Sequence, residues 1–414
     1  MTPAARLQAA IEILEGLNAT ALPADRFIRD WFRTRRYAGS KDRAAVAERV
    51  HDVFRHRGSY AWHMQSESPR ALVIASVLKD GDDIDALFTG SGYGPAALTD
   101  DERSAVDTPP GGDAPFHARH EFPKFLEAEL TRSLGDSLAV EMDAMLTRAP
   151  VDLRVNTLKA SYGSVLERLH DDGIEAGATP YAPHGIRIAS QDGLSILRRH
   201  PAFEQGLYEF QDEAAQIAVA LAEAKPGHRV LDFAAGAGGK ALALAAEMQN
   251  LGEIVAHDID PGRLHQIAPR AERAGVTIIR ATGGNLPGGR FDLVFIDAPC
   301  SGSGTWRRQP EQKWRLTKTR LDELLAIQDT LLDEGAERVR AGGRIVYATC
   351  SLLRVENEDR IEAFRARHPD FAVVRADDIW QGAPPPGLAE FFRATPATTG
   401  TDGFFAAILQ RKGT

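Results

Sequence analysis

Leu231-Asp-Phe-Ala-Ala-Gly-Ala-Gly-Gly-Lys240 closes the short apolar run Arg229–Phe233 and opens a helix near Lys240. A strand that turns through glycines directly into a helix is the opening of an α/β unit, since glycine permits the tight turn. The same alternation continues outward. Candidate strands are Arg229–Phe233, Glu253–Asp258, Thr277–Ala281, Phe291–Ile296 and Arg344–Thr349, with a long helix from Leu321 to Val339. Short apolar strands separated by helices predict an α/β fold whose parallel sheet is covered on both faces. Phe371–Arg375 and Gly403–Leu409 read as further strands at one edge.

Upstream the pattern changes. Residues 123–222 read as a helical block, Pro123 to Arg148, followed by strand, helix and strand over Val151–Lys159, Gly163–Gly173 and Ile174–Ile188. Residues 89–122 include Thr108-Pro-Pro-Gly-Gly-Asp113 and have turn chemistry without periodicity, so they read as a loop or linker. Residues 1–88 read as all-helical, beginning with an amphipathic helix (Leu7, Ile11, Leu14) in which Glu12 and Glu15 break any signal-peptide core. No apolar run approaches a membrane span, and a cytoplasmic location is expected.

The net charge of −9, from 49 basic and 58 acidic residues, argues against a protein that simply coats nucleic acid. It leaves room for local patches. Arg26, Arg29, Arg33, Arg35, Arg36, Lys41 and Arg43 are interleaved with Trp31, Phe32 and Tyr37. That mixture fits either a solvated helix face or an RNA-facing surface.

In open α/β sheets, ligands bind beyond the carboxyl ends of the strands. The glycine spacing at Gly236, Gly238 and Gly239 is not G-x-G-x-x-G. Ala234 and Ala241 occupy the positions where a phosphate-binding Walker loop needs Gly and Ser/Thr. Asp258 ends the second strand, 20 residues after Gly238 (258 − 238), where a carboxylate can accept both ribose hydroxyls. A nucleoside without phosphates suits these features, and S-adenosylmethionine is the candidate.

Only two cysteines occur, and no Cys/His cluster has zinc spacing, so neither a disulfide framework nor a metal is expected. Cys300 lies in Ile296-Asp-Ala-Pro-Cys-Ser-Gly-Ser-Gly304 and Cys350 in Val346-Tyr-Ala-Thr-Cys-Ser351, each just after a candidate strand. Both should emerge on the edge that holds the glycine loop and Asp258. Cytosine C5 is a poor nucleophile until a thiolate adds to C6, after which it can attack a methyl group. Asp297 is placed to stabilise such an adduct.

Asp297-Ala-Pro-Cys-Ser-Gly-Ser-Gly-Thr-Trp-Arg-Arg-Gln-Pro-Glu-Gln-Lys-Trp-Arg315 and Tyr347-Ala-Thr-Cys-Ser351, followed by Glu356-Asn357, closely resemble the RsmB/Nop/Sun family of RNA cytosine-C5 methyltransferases. DNA cytosine methyltransferases resemble only the first motif. The similarity extends through Arg154-Val-Asn-Thr157 and Phe210-Gln-Asp-Glu-Ala-Ala-Gln216, covering about residues 120–410. Residues 1–88 look like a shortened form of the family's NusB-like RNA-binding domain.

The resemblance implies a Rossmann-like class I methyltransferase domain over 223–414, preceded by an RNA-binding module over 123–222. It implies that Cys350 is the nucleophile, that Cys300 assists product release, and that Asp297 and Lys240 handle the target base. Ala234, Ala235, Gly236, Ala237, Gly238, Gly239 and Lys240 would form the cofactor loop, with Asp258, Arg263 and Asp297 completing the cofactor set. The implied substrate is 16S ribosomal RNA, the cofactor S-adenosyl-L-methionine, and the expected state a monomer without membrane or metal.

Two departures stand out. The family loop usually reads C-A-A-P-G-G-K, and this chain lacks its Cys and Pro. Where relatives carry an acidic residue near the adenine, Ala281-Thr-Gly-Gly-Asn285 offers Thr282 or Asn285. These departures leave open a non-catalytic RNA-binding or ribosome-assembly protein with a vestigial pocket. A small-molecule methyltransferase is opposed by the upstream modules. Arg307, Arg308, Lys313 and Arg315, around Trp306 and Trp314, are expected to form a basic, aromatic surface beside Cys300 that offsets the cost of unstacking a base.

Overall fold

The eight-residue helix Asp100–Asp107 begins with a reciprocal cap. Thr99 Oγ1 accepts from the Glu102 amide at 3.2 Å, and Glu102 accepts from the Thr99 amide at 2.9 Å. Arg70 then holds the Glu102 carboxylate at 2.7 Å. The stretch 89–122, which reads as a linker in sequence, is therefore partly helical and tied down. In the computed structural model, which describes residues 1–189, 194–284, 286 and 288–413, it belongs to the first of two compact units.

That unit comprises Met1–Thr131, Asp136–Thr147 and Trp306–Thr317. Its core gathers Leu7, Ile11 and Leu14 of the helix Pro3–Asn18, Val46, Val50 and Val53 of Ser40–Arg55, and Leu72 to Val77 of Pro69–Asp80. The helix Ala24–Arg33 buries Ile28 and Phe32 and leaves Arg26, Arg29 and Arg33 exposed.

Trp306–Thr317 corrects the sequence expectation. Trp306 is 1% exposed, Arg307 4% and Lys313 3%. Lys313 Nζ donates to the Arg55 carbonyl (3.1 Å), Trp314 Nε1 to the Phe54 carbonyl (2.6 Å) and Arg315 Nη1 to the Leu22 carbonyl (2.8 Å). Burial pulls the Lys313 ammonium down to about 8, with Glu121 countering it. Lys313 and Arg315 hold the helical unit together, and of the four cations expected at the surface Arg308 is the exposed one.

The second unit comprises Arg132–Gly135, Arg148–Thr305 and Lys318–Thr414. The helical block expected from Pro123 to Arg148 is broken into short pieces, one break falling at Gly135, whose φ is 54°. Strands β1 (Val151–Val155), β2 (Ala176–Ala178), β3 (Gly185–Ile188) and β4 (Tyr208–Phe210) form an antiparallel sheet in the order β2-β3-β1-β4. The single strand expected over Ile174–Ile188 is thus the pair β2 and β3, with the chain turning between them.

The main sheet contains β5 (Arg229–Phe233), β6 (Glu253–His257), β7 (Ile279–Thr282), β8 (Phe291–Asp297), β9 (Val339–Thr349), β10 (Phe371–Val374), β11 (Phe392–Ala394) and β12 (Phe404–Arg411). Its order is β10-β12-β9-β8-β5-β6-β7, with β11 beside β12. Strands β5 to β9 pair in parallel, whereas β12 is antiparallel to β9, β10 and β11. The sheet is mixed, not wholly parallel, and β12 lies inside its edge. Val230, Leu293 and Phe295 join one core, and Leu231, Val294 and Ile296 join the other, so both faces are covered. The architecture is the Rossmann-like α/β sheet that the sequence pattern predicts, extended by an antiparallel edge.

Among the described residues, no helix is long and apolar enough to cross a membrane.

Candidate active site

Parallel register places Phe233 beside both Ile296 and His257, and Asp297 beside Ala348. The residues that follow, Ala234, Asp258, Cys300 and Cys350, therefore leave the same edge of the sheet. Strand β5 lies between β8 and β6, where the strand order reverses, which is where open sheets leave a crevice for ligands.

The glycine loop and Asp258 meet directly. Asp258 Oδ2 accepts from the Gly236 amide at 2.8 Å and Oδ1 from the Asp260 amide at 2.8 Å. The carboxylate thus shapes the loop as well as facing the crevice. Gly238 has φ 79°, and a Cβ there would stand 2.9 Å from Ile267 Cγ1, so glycine is required. The helix Gly239–Glu247 starts at this point. Arg263 is exposed, and its amide donates to Asp260 Oδ1 at 3.3 Å. Thr282 ends β7 in register with His257, while Asn285 lies outside the described residues.

Lys240 Nζ leaves the loop and meets Asp297 Oδ2 at 2.6 Å. Burial opposes the ammonium, but attraction to Asp297 and the hydrogen bond between them hold it above the ordinary lysine range. The nearby Cys350 and Asp232 act in the same direction. The ammonium also stands 5.4 Å from the centre of the Phe404 ring, which β12 brings to this edge by running antiparallel.

Cys300 and Cys350 are 50 residues apart in sequence, yet their sulfurs are 3.4 Å apart. Two backbone contacts accompany this approach. The Gly304 amide donates to the Cys350 carbonyl at 2.9 Å, and the Gly403 amide donates to the Gly304 carbonyl at 2.8 Å. A Cβ on Gly304 would meet the Gly403 carbonyl oxygen at 2.1 Å, so the crossing requires glycine there. The hydrogen bond to Cys350, together with burial, pushes the Cys300 thiol well up.

Two side chains escaped the sequence reading. Asp232 on β5 is fully buried, and neither side-chain oxygen accepts a full hydrogen bond. Burial, with Asp297 nearby, raises its carboxyl to about 7, and the Ala241 amide offsets this in part. Ile259, next to Asp258, is 90% exposed. The only sequence signal for either was its position at a strand end beside the glycine loop.

The upstream motifs are architectural. Arg154 donates to Gln211 at 2.7 Å, and Asn156 donates to the Gly206 and Ala274 carbonyls at 2.8 Å each. Gln216 donates to the Gln211 carbonyl at 2.9 Å. Asn156 thereby ties the four-stranded module to the helix Ile267–Ala274 within one unit.

The donor set suits S-adenosyl-L-methionine. Asp258 offers carboxylate lone pairs to a ribose, Ile259 offers an apolar surface to a purine, and the orphaned Asp232 carboxyl suits a cationic ligand. When bound, this cofactor supplies an electrophilic methyl group.

Comparison with known proteins agrees. Residues 218–410 match the family described as 16S rRNA methyltransferase RsmB/F, and 122–193 match the RsmF/B-like ferredoxin-like domain. A Xylella fastidiosa protein named ribosomal RNA small subunit methyltransferase B is 35% identical over 294 residues, 70% of this chain and 68% of that one. The crystal structure of PH0851 superposes with a TM-score of 0.78 at 26% identity, covering 99% of both chains. A methyltransferase homolog from Pyrococcus horikoshii gives 0.62 at 28% identity, covering 72% of this chain and 97% of that one. The chain spans 60% to 68% of the length of the curated bacterial relatives compared with it. With this fold, loop and cysteine pair, the chain belongs to the 16S rRNA methyltransferase RsmB/F family.

Proposed function

We propose that this protein methylates C5 of a cytosine in small-subunit ribosomal RNA, in the cytoplasm, through a covalent bond between Cys350 and C6. The observation that carries this reading is the pair of thiols 3.4 Å apart beside the Lys240–Asp297 ion pair. In the first step the Cys350 sulfur forms a bond to C6, and the C5–C6 π electrons move to C5. Asp297 and Lys240 hold the polar edge of the ring and take up the charge that the addition places on it. S-adenosylmethionine, which Asp258 and the Gly236–Gly239 loop would hold, would supply the methyl group to C5. Transfer of the C5 proton to solvent water lets the C6–sulfur bond break, Cys350 leaves as a thiolate, and Cys300 assists this release. Bisulfite sequencing of ribosomal RNA from cells with and without the gene tests the reading. One cytosine that resists conversion only when the gene is present is the expected result, and identical patterns refute it.

Asp258 carries the second test. Asp258→Ala is expected to weaken S-adenosylmethionine binding by roughly 1.5–3 kcal/mol, the scale of hydrogen bonds to a charged group. Calorimetric titration measures it, and unchanged affinity would mean that the ribose is held elsewhere.

The helical unit supplies a third. Arg33 and Arg36 are exposed, and the Arg35 guanidinium stacks 3.6 Å from the centre of the Trp31 ring. An acidic chain must bind RNA through such local surfaces. Neutralising Arg33, Arg35 and Arg36 together is expected to raise the RNA dissociation constant and flatten its salt dependence, the slope falling by roughly 0.7–0.9 for each lost phosphate contact. Turnover at saturating RNA should survive. A triple variant that binds like the parent at every salt concentration would reduce this surface to a solvated helix face.

A further inference from the structure

Glu356 takes no part in the chemistry above, yet its carboxyl is fully buried and accepts four hydrogen bonds. Oε1 accepts from the Ser301 amide at 2.8 Å and from Gln328 Nε2 at 3.1 Å. Oε2 accepts from the Ser301 hydroxyl at 2.5 Å and from the Ser351 hydroxyl. Ser301 directly follows Cys300, and Ser351 directly follows Cys350. Gln328, from the helix Lys318–Arg338, also donates to the carbonyl of Pro299, the residue before Cys300, at 2.9 Å. Among the described residues no cation forms an ion pair with Glu356, so neutral donors alone satisfy it.

We infer that Glu356 is a positioning residue whose carboxylate registers the Cys300 and Cys350 loops against each other, setting the separation at which one thiol attacks and the other serves release. The inference rests on the two-cysteine reading above. Hydrogen bonds to an ionised acceptor are shorter and stronger than neutral ones, and a carboxylate accepts at both oxygens. A glutamine in its place accepts at one end only. Its amide nitrogen would face the two serine hydroxyls, which can turn to accept, because the backbone N–H of Ser301 cannot. The shared acceptor between the two loops is then lost, while the overall shape is kept. The Glu356 charge also adds to the forces that hold the Cys300 thiol up.

The test compares the full chain with Glu356→Gln and with the Ser301→Ala/Ser351→Ala double variant, using phenylarsine oxide as a probe of thiol spacing. The trivalent arsenic bonds to both sulfurs, and its oxygen leaves as water with the two thiol protons. Glu356→Gln is expected to weaken arsenical binding and to lower kcat, each by about tenfold, the scale of a hydrogen bond to a charged group. KM for RNA should change by less than about twofold, because uniform binding is untouched. The double variant keeps the carboxylate with its Ser301 amide and Gln328 bonds but loses its bond to Ser351, so it should move both quantities in the same direction by at least as much. If Glu356→Gln does not fold, the double variant carries the test by the same criteria.

Parental arsenical affinity in the folded variants overturns the inference, and so does weakened arsenical binding with parental kcat. Parent protein that binds the arsenical but leaves cytosine unmethylated counts against the reaction assigned above. The arsenical comparison then still decides whether Glu356 sets the thiol spacing.

Discussion

Cys350→Ala is expected to abolish methyl transfer, by on the order of 10⁴-fold or more as for other removed nucleophiles, and to form no covalent species with RNA. Cys300→Ala should instead accumulate a protein–RNA adduct that survives denaturing electrophoresis. The asymmetry has a physical basis. The sulfurs are 3.4 Å apart, so only one can bond to C6 of a given ring. The roles follow the motifs that carry the two thiols, Thr349-Cys350 for attack and Pro299-Cys300 for release, and the attacking member must act as the thiolate. An adduct found with Cys350→Ala and absent with Cys300→Ala would reverse the two roles.

The second large effect concerns stability against pH. Burial, with Asp297 nearby, pushes the Asp232 carboxyl up from its ordinary 3.8 to about 7. The folded chain therefore keeps a proton that the unfolded chain releases. The resulting cost is absent below 3.8, grows as pH rises from there, and is complete above about 7. Asp232→Asn removes that dependence. Near pH 8 the variant should be more stable than the parent by up to about 4 kcal/mol, less the cost of burying the amide. The gain should shrink as the pH approaches 4. Thermal melts across this range, without cofactor, measure it. Parallel stability curves for parent and variant would show that Asp232 is satisfied in the folded state.

The five parallel strands were legible in sequence because each is a short apolar run bounded by turn residues, and hydrophobic periodicity is a local signal. The glycine loop, Asp258 and both cysteines were legible for a related reason. Each lies at a strand's carboxyl end, and parallel pairing brings those ends to one edge. The Lys240–Asp297 pair follows from the same rule, since the two residues leave adjacent strands, β5 and β8.

Tertiary structure alone decided the rest. Arg307, Lys313, Trp314 and Arg315 carry the composition of an exposed basic surface. Lys313, Trp314 and Arg315 nevertheless donate to carbonyls at Arg55, Phe54 and Leu22, which lie 258, 260 and 293 residues away in sequence. No window on the sequence contains both halves of such a bond. The place of β12 between β9 and β10 depends likewise on pairing between segments that have the same local pattern in any order. Asp232 and Glu356 are both buried carboxyls. One lacks a full hydrogen bond and the other has four, a difference set by which donors the fold brings within about 3 Å. Composition and spacing specify which groups a chain carries, whereas burial and partners arise only when distant segments exclude water from one another.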